Sequence, residues 1–516
     1  MSSMRVGIDV GGTNTDAVLM RGDEVLHAVK TATSADVMSG VLTVLRMIIT
    51  GSGIAASELD SVMIGTTHFT NAIVERRSLA RVGVIRLALP ATQSLPPLSG
   101  WPEDIASAIR AEVRIVGGGL EFDGSPIGPV VREEIHAAAE AFEQCRIRNV
   151  AISGVFSSIN DEQERQAAAY LCEVMPAVRI TMSSEVGRFG LLERENAAIL
   201  NAALGNLGRD LMDAFANAIA QAGVKAPFFL TQNDGTLMNA ERAARFPIMT
   251  VASGPTNSMR GAALLSKQKD AIVVDIGGTT TDVGVLQSGF PRAAGIAVDV
   301  GGVRTNFRMP DVYSIGLGGG TRIDADFQRI GPDSVGYRLQ EEAMIFGGRS
   351  LTASDVAVAG GLATFGNPEY VRHLDAGGVQ DCIQRMQDKL FNAVDRVRTS
   401  DAPVALLIVG GGSVLAREQI GDLIALRPPH YAVANAVGAA MAQVSGESDQ
   451  LFRLADITRD AAIASATDDA KRAAVDAGAM SDTLTVIDIE ELPLAYMTGN
   501  TTRIRVKVVG ELALAH

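Results

Sequence analysis

Hydrophobic and polar positions along the chain switch between two periods. Short apolar runs rich in β-branched residues read as strands at 5–10, 16–20, 24–30, 59–64, 150–155, 228–231, 271–274, 283–286 and 404–409. Between them lie stretches of helical spacing. Val37, Val41, Leu42, Leu45, Ile48 and Ile49 share one face of a helix over 36–50, which Gly51 would stop. A second helix opens at Gly65-Thr66-Thr67-His68 and runs through Glu75-Arg76-Arg77, with Thr66 or Thr67 as its cap. Residues 193–222 keep helical period throughout and read as a core helix, and Pro255 suits the first turn of another over 253–266. A helix of small residues is expected over 432–444.

Elsewhere the pattern loosens or changes. Residues 88–128, with Leu95-Pro96-Pro97-Leu98, the only Trp and Gly117-Gly118-Gly119, read as an insertion, after which helix, strand and helix resume over 130–179. Residues 468–472 form a solvated helix face. The tail 482–514 alternates apolar and polar residues and reads as a β-hairpin or an added sheet.

Two of the strands end in the same phrase. Asp9-Val10-Gly11-Gly12-Thr13-Asn14-Thr15-Asp16 recurs as Asp275-Ile276-Gly277-Gly278-Thr279-Thr280-Thr281-Asp282, at a constant offset of 266 (275 − 9 and 282 − 16). Each reads as strand, tight turn, strand. Glycine in the turn allows positive φ and close approach to backbone N–H groups, and threonine hydroxyls add donors of the kind an anionic oxygen accepts. One such turn is ordinary architecture; two in register suggest an internal duplication built to hold phosphate from both sides. Two further glycine runs read as ligand-approach turns: Gly316 to Gly320, with Gly318 and Gly319 at its centre, and Gly410-Gly411-Gly412-Ser413 at the end of a buried strand.

Length and composition narrow the class. A chain of 516 residues is too long for one core. With 45 basic and 59 acidic residues its formal charge is −14, which argues against nucleic acid or an anionic membrane as partner. Cys145, Cys172 and Cys382 form no Cys-x-x-Cys pair, so neither a zinc ribbon nor a disulfide framework is indicated and a cytoplasmic setting is expected. No apolar run approaches the roughly 20 residues that span a bilayer. There is no Gly-Lys dipeptide for a Walker A loop, no Gly-x-Ser-x-Gly elbow and no His-Glu-x-x-His.

The paired hairpins resemble the phosphate motifs of the actin, hsp70 and sugar-kinase superfamily. Within it, Gly7 to Thr13, Gly65-Thr66-Thr67 with Thr70-Asn71-Ala72, Gln232-Asn233-Asp234-Gly235, Ser253-Gly254-Pro255, Asp275 to Asp282, Gly318-Gly319-Gly320 and Gly410-Gly411-Gly412 are similar in wording and order to the hydantoinase A and 5-oxoprolinase family. The resemblance implies a two-lobed α/β, actin-like and ribonuclease H-like ATPase fold with duplicated mixed sheets and a C-terminal β extension. Lobe I would cover 1–268, with 1–190 resembling the family's N-terminal region, lobe II 269–446, and 447–516 would return to lobe I or add a sheet. It further implies ATP-dependent opening of a cyclic amide such as a hydantoin, 5-oxoproline or a lactam, through phosphorylation of the amide oxygen. A second, B-type subunit and an oligomeric assembly are expected. The alternatives are a small-molecule kinase of the same superfamily and a nucleotide-dependent regulatory protein.

Bare carboxylates beside phosphate would repel it. Mg²⁺ held by Asp9 and Asp275 resolves the conflict, and Asp275 could instead serve as a base. Thr13, Thr15, Thr279 and Thr281, with the backbone of Gly11, Gly12, Gly277 and Gly278, would cradle the phosphates of ATP. Gly410, Gly411 and Gly412 would lie against the nucleoside. Thr67 and His68 are candidates for the substrate side. Asp16 and Asp282 are expected to hydrogen-bond the turn backbone.

Overall fold

A computed structural model describes residues 3–33, 37–294, 298–307, 309–400, 402–441, 443–495, 497 and 499–513. The two phosphate-like phrases lie at the centres of two sheets of matching topology. In the first, Met4–Val10 and Asn14–Arg21 form the central hairpin, Glu24–Ala32 extends it on one side, and Ser61–Thr66 and then Phe228–Thr231 run parallel to it on the other. In the second, Ala271–Ile276 and Thr281–Gln287 form the hairpin, Val312–Ile315 extends it, and Ala405–Val409 and Leu423–Leu426 follow in parallel. The first strand of each hairpin is buried on both faces, which is why both sequences are near-continuous apolar runs.

Two helices cross between the sheets, and glycine lets them do so at backbone contact. A Cβ on Gly261 of helix Ser253–Ser266 would overlap the Ala434 carbonyl oxygen; one on Gly438 of helix Ala434–Ala439 would overlap that of Asn257. Gly7 in the first strand is similarly pressed on Ala436. The second crossing helix is shorter than its sequence suggests. Residues 432–444 divide into a turn, the helix to Ala439 and the start of strand Gln443–Arg453, because small residues here serve contact rather than helix length; residue 442 lies outside the described residues. The helix expected over 36–50 spans Val37–Ser52, and residue 36 likewise lies outside them.

The region read as a loose insertion, 88–128, is part of a larger unit that runs from residue 82 to 182 and includes the helix, strand and helix expected over 130–179. Glu112–Gly117, Val82–Leu89, Asn149–Gly154 and Arg179–Met182 form a four-stranded, wholly parallel sheet, packed on helices Arg132–Gln144 and Glu162–Val174. The strand at Val82–Leu89 escapes the apolar pattern because Arg86 interrupts it. That guanidinium is buried and bound at both ends by Glu195 of the long helix Leu191–Gln221, with Nε to Oε2 at 2.8 Å. At the C-terminal end, Gln443–Arg453, Thr501–Glu511 and Thr485–Pro493 form a three-stranded sheet. Helix Arg459–Asp476 lies on it through Ala462, Ala466, Ala470 and Ala474, all buried at four-residue spacing. Among the described residues no helix is long and apolar enough to cross a membrane.

The crossing helices should therefore tolerate no side chain at their contact. Gly438→Val is expected to lower stability by about 2 kcal/mol or more. Gly12→Ala, at a position where a Cβ would meet nothing within 4 Å, should change it by less than about 0.5 kcal/mol. Urea unfolding of the two variants measures the difference, and equal midpoints would refute the contact.

Candidate functional site

Each turn is closed by its own backbone. Gly11 N–H donates to the Asn14 carbonyl at 3.1 Å, and Gly277 N–H to that of Thr280 at 2.9 Å, the same bond in both repeats. The tips at Gly12, Thr279 and Thr280 reach solvent, while Asp9, Asp16 and Asp275 behind them are buried and Asp282 is partly so. The two turns meet: a Cβ on Gly278 would lie 2.6 Å from Thr13 Oγ1. Residues separated by 265 positions (278 − 13) are thus in contact.

Behind the turns the carboxylates form a connected cluster. Asn435 Nδ2 donates to Asp9 Oδ2 at 3.3 Å, and the Ser258 hydroxyl donates to Asp275 while touching the Asn435 side-chain oxygen. Asp9 and Asp275, from different sheets, are joined by one side chain from each crossing helix. Asp16 pairs with Lys30, 2.8 Å from Nζ to Oδ2, and Asp282 accepts from the Ser314 hydroxyl. These two aspartates therefore bind side chains on the neighbouring strand rather than the turn backbone expected from sequence.

Burial and mutual repulsion raise these acids. Desolvation, reinforced by Asp16 and Asp275 and opposed by the Asn435 hydrogen bond, pushes Asp9 up to about 7. Desolvation likewise raises Asp16, raises Asp275, and takes Asp282 to about 6. Lys30 is the cation whose charge opposes this at Asp9, Asp16 and Asp275. Asp9 Oδ1 is buried and has no hydrogen-bond partner. Orphaned carboxylate oxygens on Asp9 and Asp16, with three acids facing one ammonium, fit a divalent cation. No group of three or more His, Cys, Asp or Glu among the described residues could hold one alone, so such an ion would take its other ligands from phosphate and water.

Not every expected residue lies at the turn tips. Thr15 and Thr281 are wholly buried: Thr15 Oγ1 lies 3.2 Å from Thr33 Oγ1, and Thr281 Oγ1 donates to the Leu317 carbonyl at 2.6 Å. They brace the turns. Gly319 and Gly320 donate their N–H groups to the carbonyls of Gly277 and Gly278 at 3.0 and 2.6 Å, while a Cβ on Gly318 would stand 2.6 Å from Thr279 N. The glycine run reads as a ligand loop in sequence; here it backs the second hairpin. Gly410 has φ +88°, and a Cβ there would overlap the Asp275 carboxylate; Gly412 N–H bonds the Ile276 carbonyl at 2.7 Å, and Gly411 is exposed. Thr67 Oγ1 reaches the Val10 carbonyl at 3.4 Å. His68 Nδ1 is 2.7 Å from Thr66 Oγ1, and burial lowers its pKa, which keeps the ring neutral. Sequence reasoning missed Lys30, Ser258 and Asn435, although all three lie in the segments it read as strand 24–30 and helices 253–266 and 432–444. A cavity of about 970 Å³ is lined by Ser184, Asn233, Arg242, Glu447 and Asp476 among others and by none of the hairpin residues.

Two sheets each centred on an Asp-ended hairpin, joined by crossing helices and touching at their turns, define the two-lobed, actin-like ATPase fold. The sequence places it further: the hydantoinase/oxoprolinase N-terminal region matches residues 5–175 and the hydantoinase/oxoprolinase domain residues 194–364. The chain belongs to the hydantoinase/oxoprolinase family. It is 25% identical to caprolactamase subunit alpha of Pseudomonas jessenii over 390 residues, covering 70% of this chain and 55% of that protein. It is 23% identical to the acetophenone carboxylase gamma subunit of Aromatoleum aromaticum, covering 68% and 52%. It spans about half the length of these curated relatives. The fold is similar to that of ATP-dependent caprolactamase from P. jessenii, with TM-score 0.78 and 19% identity over 99% of this chain and 88% of that one. Nucleotide-free acetone carboxylase gives TM-score 0.72 and 17% identity with the same coverage.

The raised Asp9 makes stability pH-dependent in metal-free buffer. The folded protein holds this proton more tightly than the unfolded chain, whose group titrates near 3.8, so stability is lost as pH rises from about 4 through 7. Asp9→Asn removes that loss. At pH 8 the variant should be more stable than the parent by about 2–4 kcal/mol, with the difference shrinking toward pH 4. Denaturant midpoints across this range that do not depend on the substitution would contradict the buried charge.

Proposed function

We propose that this chain is the nucleotide-binding part of an enzyme that uses ATP to open a cyclic amide. The observation that supports the reading is the packing of Gly278 on Thr13, which brings two distant hairpins into contact. The names of its relatives, ATP-dependent caprolactamase above all, support the amide and the nucleotide. In this reading the amide oxygen is phosphorylated and water then cleaves the activated C–N bond. The tips of both turns, through the amides of Gly12 and Gly278 and the hydroxyls of Thr13 and Thr279, receive the phosphates, while the Gly11 and Gly277 N–H groups close the turns on the Asn14 and Thr280 carbonyls. Thr15 and Thr281 hold those turns in shape. Preorganised donors of this kind act mainly by positioning the phosphoryl group and neutralising its charge.

Asp9 and Asp275 would hold Mg²⁺, which would supply the positive charge that buried carboxylates and phosphate together require. Asp275 also serves as a proton acceptor in this scheme, oriented by Ser258. Gly410 to Gly412 lie on the nucleoside side, and Thr67 with neutral His68 on the amide side. In this reading lobe I covers 1–268 and lobe II 269–446, and the C-terminal sheet opens with strand Gln443–Arg453, a few residues ahead of the boundary expected at 447. A B-type subunit would complete the enzyme, in keeping with relatives that are themselves named as subunits.

Phosphate release by the purified chain, alone and with a co-expressed B-type subunit, tests this against a panel of hydantoins, 5-oxoproline and lactams. At least one cyclic amide should stimulate ATP hydrolysis. Asp275→Asn should cut the stimulated rate by about a hundredfold or more. Stimulated turnover unchanged in that variant would remove Asp275 from the chemistry.

A further inference from the structure

Lys30 is a residue that the fold alone does not require. The two halves repeat one row of side chains across three antiparallel strands: Asp9 opposite Asp16 opposite Lys30, and Asp275 opposite Asp282 opposite Ser314. In the second half a serine hydroxyl satisfies the middle carboxylate. A hydroxyl therefore suffices at this place in the fold. The first half instead spends a lysine, whose ordering and partial burial both cost free energy.

That ammonium sits at a junction. Nζ is 2.8 Å from Asp16 Oδ2 and 3.2 Å from the carbonyl oxygen of Ala432, 402 residues away in sequence. A Cβ on exposed Gly411 would stand 3.4 Å from it. The lysine side chain keeps 35% of its surface exposed. It thus lies between the hairpins, which take the outer phosphates in the reading above, and the Gly410 to Gly412 turn, which takes the nucleoside. An ammonium has three N–H donors, and Asp16 and Ala432 account for two.

We propose that Lys30 is a polyphosphate-binding residue, held by Asp16 and the Ala432 carbonyl so that its third N–H meets the inner phosphates of a nucleoside di- or triphosphate. The assignment rests on the ATP reading. It makes Asp16 the positioning residue and explains why the repeat breaks its symmetry at this one position.

Calorimetric titration of the full chain with adenosine, ADP and a non-hydrolysable ATP analogue tests it. Lys30→Met should weaken ADP and the analogue by about ten- to a hundredfold, the range of a hydrogen bond to a charged group, and leave adenosine unchanged. Lys30→Arg should recover part of the loss. The double variant Asp16→Asn with Lys30→Met removes the buried carboxylate as well, so a purely structural lysine would no longer be missed. If the double variant binds ADP as the parent does, Lys30 is only a counter-ion and the assignment is overturned. Persistent weak ADP binding by the double variant, with adenosine unaffected, supports it. A parent protein that binds neither ADP nor the analogue would overturn the ATP reading and this assignment together.

Discussion

The carboxylates of Asp9, Asp16 and Asp275, buried behind two touching turns and opposed by one ammonium, are the constraint around which this molecule is arranged. Such a cluster is unfavourable by itself, since burial and like charge both work against ionisation. The structure limits the cost without cancelling it. Asn435 and Ser258 reach in from the crossing helices, Lys30 and Ser314 from the flanking strands, and one oxygen of Asp9 is left with no partner. A fold selected only for stability would replace such a cluster with apolar packing. Its retention fits a site completed by cationic and anionic ligands.

Close approach is what makes the cluster continuous. Glycine at 7, 261 and 438 brings the first sheet and the two helices to backbone contact, so that short side chains at 258 and 435 span from one aspartate to the other. Glycine at 278, 318 and 410 does the same around the second turn. Any of these positions with a side chain would move one carboxylate away from its counterpart. The four-stranded parallel unit has a core of its own but also joins the main core of the first lobe through Val82, Val84 and Ala151, and the C-terminal sheet shares its core with Met63 and Leu237 of the first sheet.

The hairpins, their turns and the crossing helix over 253–266 were legible in the sequence because each is a local signal, an apolar run stopped by glycine and a capped or proline-started helix. Repetition of one phrase 266 residues apart added the pairing of the halves. Lys30, Ser258 and Asn435 were not legible, since their roles come from register and from helix crossing, neither of which leaves a local mark. The strand at Val82–Leu89 was lost for a related reason: a buried arginine looks like a surface residue until its distant partner Glu195 is known. The run at Gly318 to Gly320 was visible but its purpose was not, because a glycine that admits a ligand and a glycine that admits a neighbouring carbonyl read alike.

The central claim is that the two turns grip a single nucleotide. A crystal structure of the chain with Mg²⁺ and a non-hydrolysable ATP analogue measures this directly. The account predicts phosphate oxygens within hydrogen-bond distance of backbone N–H groups from both the Gly11-Gly12 and the Gly277-Gly278 turns. A nucleotide bound in the 970 Å³ cavity, or touching one turn alone, would contradict it.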